Sequence, residues 1–162
     1  MGNDSLIRRV GARAVMISPA GRILLMKLTE PGEGVTFWIT PGGGLEPGES
    51  APQGLLRELG EEVGRRDFDI GPVIWTRSNQ FTWDGQPYHQ DETYHLIVSD
   101  EFETGEGGAM DPEERIAFQG FRWWSFQEIQ ESNETFAPGR LGELLEALLR
   151  EGPPAKPFDT AS

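Results

Sequence analysis

The sequence predicts an α+β fold in which helices cover a mixed β-sheet within a single domain. The β-prone and helical segments follow one another as strands, a helix, more strands and a final helix, without the regular strand–helix alternation of a parallel sheet. The 162 residues are enough for one domain with a sizeable core. No internal repeat and no linker divides the chain.

The first half of the chain contains paired strands that lead to a cluster of glycines. Residues 9–17 are β-prone, residues 18–22 contain the Pro and Gly of a turn, and residues 23–28 are a short apolar run, so these segments predict a hairpin. A loop over residues 29–36 precedes the segment "FWIT". The three glycines that follow predict a sharp loop.

A helix is predicted within the stretch from Pro41 to Gly64. Its apolar residues recur at helical spacing, at Leu55, Leu56, Leu59 and Val63. Ser50 fits the N-cap, so Pro52 falls in the first turn, where a proline costs little. Gly54 and Gly60 lie in the interior, and each costs about 1 kcal/mol relative to alanine.

The second half of the chain returns to strands. Residues 68–81 and 88–100 are predicted strands that flank the turn "WDGQP". Residues 101–115 are acidic and Gly-rich, which indicates a mobile loop with room for one helical turn near Asp111. Residues 118–126 predict a further strand. The segment 140–152 predicts a helix with one stripe of leucines.

The ends of the chain lack the features of a packed element. We expect residues 1–7 to be flexible, residues 8–152 to form the folded domain and residues 153–162 to be a flexible tail. The segment "MGNDSLIRRV" has no apolar run of signal-peptide length, and no run approaches the ~20 apolar residues of a membrane span. We therefore expect a cytoplasmic protein without a membrane partner.

Composition excludes several classes of function. The net charge is −13, which disfavours binding of extended nucleic acid because phosphate backbones would be repelled. The chain has no cysteine, which excludes disulfides, thiolate metal sites and cysteine nucleophiles. An acidic protein that handles anions needs a metal ion or a local basic patch.

The predicted helix carries a ridge of carboxylates. Glu58, Glu61 and Glu62 stand at i, i+3 and i+4, so they share an arc of about 100° beside the apolar stripe. Their repulsion and the two interior glycines together cost about 2–3 kcal/mol. A hard divalent cation among the carboxylates would offset this cost, and oxygen ligands suit Mg²⁺ or Mn²⁺. A solvated acidic helix face is the competing interpretation of the spacing.

The stretch from Gly43 to Gly64 resembles the signature of the Nudix hydrolases, G-x5-E-x7-R-E-U-x-E-E-x-G-U, with U a bulky apolar residue. The positions that agree are Gly43, Glu49, Arg57, Glu58, Leu59, Glu61, Glu62 and Gly64. The last position departs, because Arg65 stands where an apolar residue is expected, and this leaves the end of the helix open. Trp38 and the segment "RWWSF" are similar to the family's lead-in and late strand, so the resemblance covers residues 8–150.

The resemblance implies an activity, a fold and a cofactor. The family hydrolyses a nucleoside diphosphate linked to another moiety, on an α/β/α sandwich around a mixed sheet. The implied cofactor is Mg²⁺ or Mn²⁺. Its implied ligands are Glu58 and Glu62, Glu61 directly or through water, and the carbonyl of Gly43 or its neighbour Gly42. The ion would offset the charge of the diphosphate and lower the pKa of a water.

Arg57 is implied to hold Glu49 and the other carboxylates of the motif in place. By spacing alone, Arg57 also fits a surface i,i+4 pair with Glu61, which would contribute little. A carboxylate would accept the proton as water attacks phosphorus. Within the motif, the candidates for this general base are Glu58 and Glu61.

An acid outside the motif is a second candidate for the base. Glu114, and less favourably Glu113, precedes "RWWSF" at about the distance that the resemblance implies. The glycines of this loop, Gly105, Gly107 and Gly108, would let it close over substrate. A solvated acidic loop explains the same residues equally well.

Substrate contacts are expected from the strand residues Arg77, Glu92 and Tyr94. Glu92 and Tyr94 share one face of their strand, and Arg77 could hold a phosphate. His89 and His95 share the other face, too far apart for two ligands of one ion, and we expect them to be strand residues.

Three functions are compatible with these residues. A metal-dependent diphosphate hydrolase acting on a small nucleotide derivative, as a monomer or homodimer, explains the intact acidic set best. A catalytically silent nucleotide-binding or sensor module would use the same pocket without needing that set. An isoprenoid diphosphate isomerase shares the fold but usually wants a catalytic cysteine. Among hydrolases, the proline typical of enzymes for ADP-ribose is missing, since position 80 is Gln80.

Overall fold

The computed structural model of the protein describes residues 5–104 and 110–161. The strands are β1 Ile7–Ile17, β2 Ile23–Thr29, β3 Thr36–Ile39, β4 Gly42–Gly44, β5 Val73–Trp83, β6 Gln86–Val98, β7 Phe118–Trp124, β8 Phe136–Ala137 and β9 Phe158–Asp159. The helices are α1 Ala51–Glu62, α2 Pro112–Ala117, α3 Phe126–Glu131 and α4 Leu141–Glu151. None of the helices within these described ranges is long and apolar enough to cross a membrane.

The strands form one mixed sheet in the order β8-β3-β2-β1-β6-β5-β9, with β4 paired to β1 and β7 to β2. β1 runs parallel to β6 along its whole length and antiparallel to its other partners. The predicted hairpin of β1 and β2 is present, and its strands pair at Ile17 and Ile23. Farther from the turn, β4 takes the place of β2 beside β1, at residues 11–13. The glycine strand therefore lies where β1 and β2 separate.

Helices cover both faces of the sheet, which confirms the predicted single-domain α/β/α arrangement. Alternation along β1 sends Ala14 and Met16 towards α1, and Val15 towards α3 and α4. On the α1 side the core is completed by Leu55 and Leu59 of the helix. On the opposite side it is completed by Ile129, Leu141, Leu144, Leu145 and Leu148.

α1 begins as the sequence predicts. The Ser50 side chain accepts the N–H of Gln53, and the Gln53 side chain accepts the N–H of Ser50, so this capping box satisfies two N–H groups that lack partners in the helix. Pro52 lies in the first turn. The helix ends at Glu62 and the backbone turns at Gly64, whose φ is 80°. Arg65 therefore follows the helix, which resolves the departure from the motif.

Several predicted elements differ from the structure. The glycines form the strand β4 rather than only a loop, because the β1 backbone supplies ladder partners that glycine composition does not reveal. Residues 68–72 precede β5, which begins at Val73 after Pro72. The strand predicted over 118–126 ends at Trp124, because Ser125 caps α3 through a reciprocal pair with Glu128.

Residues 158–160 pack against the sheet, within the segment that the sequence predicted to be a flexible tail. β9 runs parallel to β5, with Phe158 opposite Trp75. The N–H of Thr160 donates to the Thr76 carbonyl at 2.9 Å, and Thr160 is fully buried. A two-residue strand leaves no periodic pattern, so sequence alone could not identify it.

Candidate active site

Three carboxylates from two helices meet at one point. Glu58 and Glu61 come from α1, and Glu114 comes from the first turn of α2. One carboxylate oxygen of each residue lies within 4.8 Å of the others. Asp111 caps α2 by accepting the N–H of Glu114 at 2.9 Å, which fixes the start of this helix. The structure thus brings the acid outside the motif to the predicted ridge.

Arg57 joins the acids of the site to one another. Its guanidinium binds both oxygens of Glu49, at 2.7 Å from Nε and 3.0 Å from Nη2. Its Nη1 donates to Glu58 at 2.9 Å and, more weakly, to Glu61 at 3.3 Å. Its Nη2 also donates to the Gly44 carbonyl at 3.1 Å. Arg57 therefore connects the loop, the helix and the glycine strand, far more than a surface pair with Glu61.

Glu49 is held as an anion in this arrangement. The Arg57 guanidinium and the backbone N–H of Glu46 bind its carboxylate, and they lower its pKa to about 2. Glu49 thus anchors Arg57 from the loop before α1. It is not a member of the group of three carboxylates.

Glu62 lies beside that group but is oriented towards the glycine strand. Its Oε1 accepts the N–H of Gly42 at 2.9 Å. Its Oε2 is buried and has no hydrogen-bond partner among the described residues. Burial, together with the neighbouring Glu58 and Glu114 carboxylates, raises the pKa of Glu62 well above its ordinary value.

The glycine strand approaches the carboxylates closely. A Cβ added to Gly43 would lie 2.8 Å from the Glu58 carboxyl group, so a larger residue would displace that carboxylate. The glycines of α1 also face neighbours, but these are side chains of the protein rather than an approaching backbone. A Cβ at Gly54 would collide with Leu45, and one at Gly60 would collide with Arg66.

Burial changes the protonation of the acids at the centre. It raises the pKa of Glu58, and the Arg57 guanidinium opposes this rise. It also raises the pKa of Glu114 to about 8, with further contributions from Glu58, Asp111 and Glu61. Three acids of the site therefore hold protons more tightly than free carboxyls, because their negative charges are crowded and partly removed from water.

This donor set fits a hard divalent cation. The acids supply oxygen ligands from several directions, and Glu62 has a buried oxygen that no described group satisfies. Buried polar atoms normally have a partner, and the unpaired Glu62 oxygen beside the crowded acids is a donor that a cation could use. A cation would also bring all these groups to their ionised forms.

Glu113 and Glu114 have different surroundings. Glu113 is exposed, whereas Glu114 is partly buried against the α1 acids. α2, Pro112–Ala117, begins within the mobile loop predicted over residues 101–115 and extends past its end. Its glycines Gly105, Gly107 and Gly108 lie outside the described residues.

The strand residues expected to meet substrate lie inside the protein. Tyr94 is fully buried and Glu92 is 4% exposed. Glu92 binds Arg13 at 2.7 Å and lies 3.6 Å from Arg77, whose side chain is 10% exposed. Burial raises the pKa of Glu92, but the Arg13 guanidinium outweighs this and holds it below the ordinary value. No local sequence pattern indicates this ion pair, because Arg13 and Glu92 are far apart in the chain.

The histidines remain strand residues, as expected. His89 contacts Ser78 and Asp91, and the buried His95 contacts Thr93 at 2.9 Å. Neither belongs to the group of acids described above.

Comparisons with known proteins match most of the chain to one family. A family model described as the NUDIX domain matches residues 7–151. An RNA pyrophosphohydrolase from Cronobacter sakazakii is 34% identical over 101 residues, which cover 55% of this chain and 55% of that protein. The chain thus spans about half the length of the curated relatives it matches.

Solved structures share the fold. The solution structure of the ORF135 protein of E. coli matches with a TM-score of 0.58 and 26% identity, over 96% of this chain and 99% of that chain. The crystal structure of the MutT protein from Methanosarcina mazei Go1 matches with a TM-score of 0.60 and 20% identity, over 91% and 96% of the two chains.

Proposed function

This chain belongs to the Nudix family, and on that premise we propose that it is a divalent-metal-dependent hydrolase. Its reaction is cleavage of a phosphoanhydride bond in a nucleoside diphosphate linked to another moiety. The observation that supports this best is the convergence of Glu58, Glu61 and Glu114 within 4.8 Å, beside a buried Glu62 oxygen without a partner.

The acids divide into two roles in this proposal. Mg²⁺ or Mn²⁺ would be held by Glu58, Glu61 and Glu62, with the carbonyl of Gly43. When bound, such an ion offsets charge on the diphosphate and makes a neighbouring water easier to deprotonate. Arg57 and Glu49 act as positioning residues, because their fork of hydrogen bonds fixes the carboxylates at the start of the reaction.

Glu114 is the proposed general base. It accepts a proton from water as the water oxygen forms a bond to phosphorus and the bridging P–O bond breaks. The attacked phosphate gains the water oxygen, and the leaving phosphate keeps the bridging oxygen. A base that comes from α2 rather than α1 can approach the substrate from a different side than the acids of the motif.

A binding or sensor module on the same fold is the alternative. Such a module needs a pocket but not a set of crowded carboxylates whose charges destabilise the metal-free protein. The raised pKa values of Glu58, Glu62 and Glu114 favour the hydrolase, because binding alone does not explain why these acids are kept together.

The net charge of the protein disfavours one class of substrate. A net charge of −13 disfavours long nucleic acid, so we propose a small nucleotide derivative as substrate. The curated relatives are named RNA pyrophosphohydrolases, so an RNA with a 5′ pyrophosphate linkage is the alternative substrate to test. We also propose that the protein acts in the cytoplasm as a monomer or homodimer.

A substrate panel tests the proposal. Nucleoside triphosphates, nucleotide sugars, dinucleoside polyphosphates and a short 5′-triphosphorylated RNA are incubated with Mg²⁺ or Mn²⁺, and phosphate and mononucleotide release are measured. We expect hydrolysis of at least one small compound and none in EDTA. Full activity in chelator would overturn the metal mechanism. Tight nucleotide binding without turnover of any compound would favour the sensor module.

A further inference from the structure

Arg13 lies in the middle of β1 and forms an ion pair that is almost completely buried. Its Nε donates to Glu92 at 2.7 Å, and the two side chains are 11% and 3% exposed. Removing two charges from water is costly, and a protein in which apolar residues of similar volume replace a buried ion pair is often at least as stable. Stability alone therefore does not explain this pair, whereas the geometry that it fixes does.

The other end of the Arg13 guanidinium contacts the segment that leads into the glycine strand. Its Nη1 donates to the Thr40 carbonyl at 3.1 Å and to the Gly42 carbonyl at 3.3 Å. The guanidinium thus connects β6, which carries Glu92, with the backbone before and within β4.

Gly42 transmits this contact to the acids. Its φ is 137°, and a Cβ there would collide with the Ala12 carbonyl, so only glycine fits. The Gly42 carbonyl accepts a hydrogen bond from Arg13, and the Gly42 N–H donates to Glu62 at 2.9 Å. The next residue, Gly43, lies against the Glu58 carboxyl group. Movement of this backbone would shift two of the acids proposed to hold the ion.

Glu92 is itself fixed from several sides. Gln90 donates to Glu92 Oε2 at 2.7 Å, and the Tyr94 hydroxyl donates to Oε1 at 3.2 Å. Gly11 leaves space for Gln90, because a Cβ there would lie 2.8 Å from its Nε2 atom. The carboxylate is therefore a rigid anchor for Arg13.

We propose that Arg13, anchored by Glu92, is a positioning residue that holds Gly42 and Gly43 where Glu62 and Glu58 can bind a divalent cation. This inference rests on the proposed function, and it assigns the strand residue Glu92 to the support of the metal site rather than to substrate contact. Loss of such outer contacts typically weakens metal affinity by about 10–100-fold.

The test measures Mn²⁺ binding directly, without substrate. Titration calorimetry and Mn²⁺ electron paramagnetic resonance give the Kd for the wild type and for Arg13→Met, Arg13→Lys and Glu92→Gln. We expect about 10–100-fold weaker binding in both Arg13 variants, because a lysine lacks the fork that spans Glu92 and the carbonyls. Glu92→Gln should weaken binding by a smaller factor. At saturating Mn²⁺, kcat should recover largely, since the acids themselves are intact.

Arg77→Met is the matched control. Arg77 approaches the same carboxylate from β5, at 3.6 Å. The Mn²⁺ Kd of Arg77→Met should stay within about twofold of the wild-type value, a much smaller change than the loss expected for an outer contact of the metal site. Equal weakening in Arg77→Met and Arg13→Met would overturn the proposal, because the effect would then come from Glu92 in general. Thermal unfolding checks each variant, and Arg13→Lys and Glu92→Gln decide the question if Arg13→Met does not fold. Wild-type Mn²⁺ affinity in these two variants would overturn the positioning role alone. A wild-type protein that binds no Mn²⁺ would overturn the proposed metal site as well.

Discussion

The Glu62 carboxylate accepts the backbone N–H of Gly42 at 2.9 Å through one oxygen, while its other oxygen is buried without a described partner. One half of this side chain is thus structural, and the other half is available to a ligand. The two halves respond differently to substitution, which allows their contributions to be separated.

Glu62→Gln should remove most turnover and metal affinity but leave the metal-free protein as stable as the wild type or more stable. The amide oxygen can still accept the Gly42 N–H, and the variant cannot acquire the buried charge that Glu58 and Glu114 disfavour. Urea denaturation in EDTA at pH 8 measures this. Glu62→Ala is the contrasting variant and should lose about 1–3 kcal/mol, because the Gly42 N–H is left without an acceptor. A loss of several kcal/mol in Glu62→Gln would contradict the role proposed for Glu62.

Glu114→Gln should lower kcat by about 10²–10⁴, the usual effect of removing a general base, with the metal Kd changed little. Glu113→Gln is the control and should retain kcat, because Glu113 is exposed while Glu114 lies among the acids. Single-turnover kinetics on a substrate found by the panel measure both variants. Wild-type kcat in Glu114→Gln would move the base to Glu58 or Glu61. Weaker metal binding with unchanged kcat at saturation would make Glu114 a ligand.

Arg57→Met should destabilise the metal-free protein by about 2–3 kcal/mol, because several hydrogen bonds to charged groups are lost together. The stability of Arg57→Lys should lie between those of the wild type and Arg57→Met, since a lysine keeps the charge but not the forked hydrogen-bond geometry of the guanidinium. Arg140→Met is the control. Arg140 pairs with Glu143 on the exposed start of α4, so its loss should change stability by no more than about 1 kcal/mol. Equal losses of stability in Arg57→Met and Arg140→Met would show that Arg57 contributes no more than a surface ion pair does.

The metal-free protein should lose stability as pH rises from about 6.5, above which the lowered pKa of His95 no longer opposes the change, to about 8. Burial raises the pKa of Glu114 from 4.5 to about 8, so the native chain binds more protons than the unfolded chain between these values, and the free energy of unfolding falls across them. The lowered pKa of Glu49 acts in the opposite direction, but only below about pH 4.5. Denaturation in EDTA at several pH values measures the slope. Glu114→Gln should flatten it, and stability that increases towards pH 8 would contradict the crowded-acid description.

The sequence predicted the parts of the site that are local in the chain. The spacing of Glu58, Glu61 and Glu62 beside Leu55 and Leu59 is determined by one helix, so helical periodicity located the ridge. Glu114 could be proposed from its distance to the late strand, but its meeting with Glu58 depends on how α2 packs and required the structure.

Contacts between distant strands could not be predicted in this way. Arg13 and Glu92 meet because β1 and β6 run parallel and in register, which no local pattern encodes. For the same reason, strand alternation placed Glu92 and Tyr94 on one face as candidates for substrate contact but could not show that both side chains are buried. The strand formed by the three glycines depends equally on a partner, since glycine itself has low strand propensity.

The short strand β9 has a consequence for self-association. It pairs with β5 at Trp75 and Thr76, and Thr160 adds one further hydrogen bond at 2.9 Å. Without β9, this side of β5 would present unpaired N–H and carbonyl groups, to which a strand of another molecule could add. A chain shortened before Phe158 should therefore form aggregates with rising concentration, even though every residue of the acidic site is retained.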